Sequence, residues 1–150
     1  MDIKQKINYS TIHFPLIEWT RINKDLNNKY KEYGILNDKY GLEVKNTARH
    51  FTGGALGNKF YGEDKTKQLG SQKEIKDIKR DIKKNKDISE IMKDVCGDID
   101  NNNAGINFTK QNPNIDRKSV YDAAIQYAIE KHKKEIPIIE KEVYGTIIEK

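Results

Sequence analysis

A single cysteine, Cys96, serves the whole chain of 150 residues. No intramolecular disulfide can form, and a thiol-rich metal centre is excluded. Cys96 falls in an apolar helical row, where a buried thiol is expected. No apolar run approaches the roughly 18 residues of a membrane span. The opening MDIKQKINYS has no apolar core of the kind a signal peptide carries. The expectation is a protein made in the cytoplasm, with export requiring a route that uses no cleavable signal. Familiar catalytic signatures are missing too: no G-x-S-x-G elbow, phosphate loop, H-E-x-x-H or Cys/His protease pattern.

Charge is plentiful but mixed. Lys and Arg number 28 and Asp and Glu 23, a formal net charge of +5, and no basic block stands apart from acids. Such interspersion predicts solvated helix faces, and nucleic acid is disfavoured as a partner. An anionic envelope polymer, a lipid headgroup or a protein remains as partner chemistry. The length suits one domain with one core.

Apolar periodicity predicts an all-α, single-domain bundle of about five helices spanning 1–150. An extended arm with Ile3, Ile7, Tyr9 and Ile12 precedes Pro15, which suits a first helical turn. Leu16, Trp19, Ile22, Leu26, Tyr30 and Tyr33 then trace one helical face, closed by Gly34. After a connector to Gly41, a second helix is expected from about Val44 to Tyr61, starting near Asn46 or Thr47. Its apolar face is Val44, Ala48, Phe51, Ala55 and Phe60. Gly53, Gly54 and Gly57 inside it each cost about 1 kcal/mol relative to alanine, which predicts close approach of another backbone. A third helix, Asp64 to Lys84, carries a thin stripe of Leu69, Ile75, Ile78 and Ile82. A fourth, capped by Asp87 or Ser89, bears Ile88, Ile91, Met92, Val95 and Ile99 and is expected to end in the Asn-rich run before Gly105. Residues 107–117 read as a loop, and Ser119 as the N-cap of a fifth helix through Ala128. Pro137 interrupts the helical pattern, and 138–148 is helix or strand.

His50 follows Arg49 and precedes the glycines, so its imidazole can face a close neighbour. Glu74 and Asp77 share a helical face at i, i+3 beside Lys73. Asp98, Asn102 and Gly105 lie along one stripe. The segments RHFTGGALGNKFYG, LGSQKEIKD and DISEIMKDVCGDIDNNNAGI resemble a pattern in uncharacterised bacterial families: VanZ-like membrane proteins, small envelope-associated lipoproteins, and soluble domains near toxin and effector systems. The resemblance covers residues 46–106, about two fifths of the chain, and its flanks match none of these families. It nominates His50, Glu74, Asp77, Asp98, Asn102 and Gly105, and it implies a bacterial or phage-borne setting near the cell envelope.

Three chemistries fit this group of residues. His50, Glu74 and Asp98 can hold a divalent metal, with waters completing its shell. Without metal, His50 or Glu74 can act as general base with Asp98 orienting it, while Arg49 or Lys73 neutralises an anionic intermediate. Or the cluster is structural and fixes how three helices meet. The first two predict an effector-like hydrolase acting on peptidoglycan or lipid; the third predicts a non-enzymatic protein-binding module. His13 and His132 have no partners at telling spacings.

Overall fold

A computed structural model describes residues 16–133 as five helices, with no strand among the described residues. We label them α1 Leu16–Glu32, α2 Lys39–Tyr61, α3 Glu63–Lys83, α4 Ile88–Gln111 and α5 Arg117–His132. The expected N-terminal arm, Pro15, His13, Pro137 and the ambiguous tail lie outside the described residues.

Aspartates start three of the helices. Asp38 accepts from Gly41 N at 2.7 Å, Asp87 from Ser89 N at 3.1 Å and Asp116 from Ser119 N at 2.7 Å. Each satisfies an amide that no helical carbonyl can reach. Two expected boundaries therefore move. α2 begins at Lys39 rather than near Val44, and α5 is capped by Asp116 rather than Ser119. The α2–α3 corner is the single residue Gly62, at φ 83°, a backbone shape that favours glycine.

α2 is the axis of the bundle. Residues 51–57 are all buried, so this helix meets neighbours on every side. It packs most extensively on α4 and next on α5. The core joins Trp19, Ile22 and Leu26 of α1 to Val44, Phe51 and Leu56 of α2 and to Val120, Tyr121 and Ile125 of α5. Along the α2–α4 seam, His50 meets Asp98 and Asn102, and Asn58 meets Thr109, so the two helices run parallel.

The expected close approach is real at Gly54. A Cβ there would lie 2.0 Å from the Asn102 carbonyl oxygen, and one on Gly105 would lie 2.0 Å from that of Phe51. Gly105 therefore does not end α4. The helix runs through Asn101–Asn103 to Gln111, because Asn101 and Asn102 are buried and their side chains bond across to α5 and α2.

Several apolar positions face outward against expectation. Phe60 is half exposed and lies 5.7 Å from the Arg117 guanidinium. Ile75 and Ile82 are exposed, because α3 turns Thr66, Leu69, Gly70 and Glu74 inward instead. Cys96 is exposed with Met92 and Ile99, while Ile91 and Val95 form the inward row of α4. No described helix is long and apolar enough to cross a membrane.

Candidate functional site

Above the Gly54–Gly105 crossing, toward the N-terminal ends of α2 and α4, the helices part around a cleft of about 920 Å³. His50, Glu74, Asp77 and Asp98 line it together, with Lys73 and Arg80 among its cations. The three sequence segments thus converge on one place. Asn102 stands behind His50 rather than in the cleft wall. Arg49 also lies outside the cleft lining, its guanidinium 5.2 Å from the Trp19 ring.

Asn102 Oδ1 lies 3.2 Å from His50 Nδ1, and His50 Nε2 lies 3.2 Å from Asp98 Oδ1. The imidazole is buried, and Asp98 is the more open partner, with its side chain 20% exposed against 5% for His50. Burial, helped by the Lys73 charge, pulls His50 down to about 4 even with the Asp98 carboxyl beside it. The ring is therefore neutral at neutral pH. With Asn102 turning its oxygen to Nδ1, Nδ1–H donates there, and Nε2 presents a lone pair to Asp98. That contact is a hydrogen bond when Asp98 carries a proton. Burial favours this form, raising Asp98 to about 6 against the opposing Lys73 charge.

Glu74 is the odd carboxyl. It is 3% exposed, and its Oε1 accepts no hydrogen bond from the protein. Lys73 Nζ lies 4.0 Å from that oxygen but is engaged by Asp77, which also receives Arg80 at 3.1 Å. Burial pushes Glu74 up to about 7; Lys73 works against this, and the nearby Asp98 and Asp77 charges add to it. A buried carboxyl whose oxygen accepts no hydrogen bond is expensive as an anion and cheap as an acid.

Among the described residues no group of three or more His, Cys, Asp or Glu side chains is placed to hold a metal ion. His50 and Asp98 touch, but Glu74 does not complete a ligand set with them. The three side chains are spread along the cleft wall and do not converge on one point.

Sequence reasoning missed the α5 side of the cleft. His132 is buried, lines the cleft and lies 2.7 Å from Thr47 Oγ1 through its Nε2. Asn101 Oδ1 accepts from Tyr127 OH at 3.2 Å and from Lys131 Nζ at 2.5 Å. The available signal was that Thr47 precedes His50 by three residues and so shares its helical face. Nothing along the chain linked that face to residues 127–132. No family model, curated protein or solved structure matches this chain. The fold and site define an all-α bundle with a buried imidazole and two carboxyls of raised pKa on one cleft.

Proposed function

We propose that the chain is a hydrolase that cleaves a polar polymer of the bacterial cell envelope, peptidoglycan foremost, by general acid–base catalysis in this cleft. One observation carries the reading: Glu74 is a cleft-lining carboxyl with a free oxygen and a pKa of about 7, protonated over much of the neutral range. Such an acid can protonate a leaving-group oxygen. Asp98, more open and with a lower pKa of about 6, supplies the base. When it takes a proton from water, His50 Nε2 is poised to accept a hydrogen bond from the acid so formed. His50 thus positions Asp98, the reverse of the arrangement expected from sequence. Two carboxyls whose surroundings separate their pKa values recur in glycoside hydrolysis. The lining favours peptidoglycan over lipid, because among the described residues only Ile91 and Val95 of its wall are large and apolar. The resemblance of residues 46–106 to envelope-associated families points the same way.

The test is release of soluble fragments and new reducing ends from purified peptidoglycan sacculi at about pH 6.5, comparing the chain with Glu74→Gln. A correctly placed acid is worth roughly 100-fold or more in rate, so the variant loses that factor while melting like the parent. Equal turnover by both proteins, or none by the parent, overturns the reading.

A second reading has its own observation. Ile75 and Ile82 of α3 and Ile88 and Met92 of α4 are exposed, and apolar surface of that kind suits a protein partner. In that case the polar cluster is architectural. His50→Ala and Asp98→Ala then lower the melting temperature, and no sacculus activity exists to be lost.

A further inference from the structure

A second groove, of about 420 Å³, lies between α1 and α2. Asn23, Asn27 and Tyr30 enter it from α1 at i, i+4 and i+7, and Lys45, Asn46 and Arg49 enter from α2. These spacings put one face of each helix on the groove. Asn46 lines the main cleft as well, in company with Asp98. The groove therefore meets the cleft at Asn46, which lines both.

Among the described residues no acid lines this groove, whereas acids crowd the cleft. Each asparagine amide offers both donors and an acceptor, the match for sugar hydroxyl and acetamido groups. Lys45 and Arg49 add fixed positive charge suited to a carboxylate. Arg49 is held over the Trp19 ring at 5.2 Å, which limits its freedom before a ligand arrives. The aromatic in the groove offers no open face: Tyr30 is 6% exposed, its hydroxyl donates to the Lys45 carbonyl at 3.2 Å, and the Lys45 ammonium lies 5.3 Å from its ring centre. Stacking of nucleobases, the usual anchor for single-stranded nucleic acid, has no platform here among the described residues.

We infer that this groove is a second subsite, holding the sugars that flank the scissile bond of an acidic, acetamido-bearing glycan whose reacting unit sits in the main cleft. The inference rests on the hydrolase reading and adds where the substrate extends and what chemistry it carries. It makes Asn27 and Arg49 specificity residues, remote from the reacting atoms.

The test uses the full chain bearing Glu74→Gln, so that bound glycan is not consumed. Peptide-free tetrasaccharides and disaccharides of alternating N-acetylglucosamine and N-acetylmuramic acid are titrated by calorimetry and by amide NMR shifts. We expect the tetrasaccharide to move amide resonances of α4 around Asp98 and of the α1 groove face around Asn27. The disaccharide should move those around Asp98 alone. Adding Asn27→Ala and Arg49→Gln, both at exposed positions, should weaken the tetrasaccharide about tenfold or more, the worth of a lost charge-assisted hydrogen bond, and leave the disaccharide unchanged. Tetrasaccharide shifts confined to the cleft, with affinity indifferent to the double substitution, overturn the groove and spare the hydrolase reading. Failure of both glycans to bind overturns the hydrolase reading and the groove with it. A single-stranded oligonucleotide bound at the groove more tightly than the tetrasaccharide overturns the glycan assignment. The shift map of the Glu74→Gln protein stands whether or not the double variant folds.

Discussion

Where α2 crosses α4 at Gly54 and Gly105, the two backbones touch, and Thr109 closes the seam by donating to the Ala55 carbonyl at 3.2 Å. Toward the helix N-termini, one turn before Gly54 at His50 and two turns before Gly105 at Asp98, the same two helices part around buried polar groups and open on the cleft. The crossing holds no ionisable side chain, and its geometry is fixed by the absence of Cβ atoms. The cleft end is fixed by hydrogen bonds and retains a buried carboxyl oxygen that accepts none, a costly feature for stability alone. The contrast teaches that close backbone packing and buried ionisable groups are separated along one helix pair, with the tight crossing setting the spacing of the open end.

Breaking the crossing has the largest expected effect on stability. Gly54→Ala or Gly105→Ala places a Cβ against a backbone carbonyl, which no side-chain rotation relieves. Each should cost about 3 kcal/mol, the upper part of the overpacking range, read as a drop in denaturant midpoint. Gly97 is the control: it lines the cleft, and a Cβ there meets nothing within 4 Å. Gly97→Ala should instead be neutral or gain up to about 1 kcal/mol through helix propensity.

The cleft end can be sharpened by pH. Activity should follow a bell, rising as Asp98 ionises near about 6 and falling as Glu74 loses its proton near about 7. Stability carries the Glu74 signal separately. Its folded pKa lies above its unfolded value of 4.5, so the contribution is fully present below 4.5 and is lost as pH rises through about 7. Denaturant midpoints measured from pH 4.5 to 7.5 should fall less steeply in Glu74→Gln than in the parent. His50, lowered from 6.5 to about 4, has the opposite sign, and its contribution disappears as pH falls through about 4.

Five helices were legible because Trp19, Ile22 and Leu26, or Val120, Ala124 and Ala128, repeat at helical spacing and are buried in the bundle. The end of α4 was not legible, because Asn101–Asn103 and Gly105 look like a cap until Tyr127 and His50 supply partners for the amides and α2 supplies a reason for the glycine. The outward turn of Ile75, Ile82 and Cys96 was hidden for a related reason. Periodicity shows that a face exists, and the neighbour decides which face is buried. At the site, the order of His50, Glu74 and Asp98 along the chain located the cleft. The contribution of α5 through His132 depended on a contact 85 residues away from Thr47.

The most direct measurement is the titration of the Glu74 side-chain carboxyl by carbon-13 NMR in the full chain, assigned by its loss in Glu74→Gln. A midpoint at about 7 is predicted, the value of a buried acid able to donate a proton at neutrality. A midpoint near the ordinary 4.5 would contradict the account, because Glu74 would then be an ionised carboxylate throughout the range in which the cleft is proposed to work.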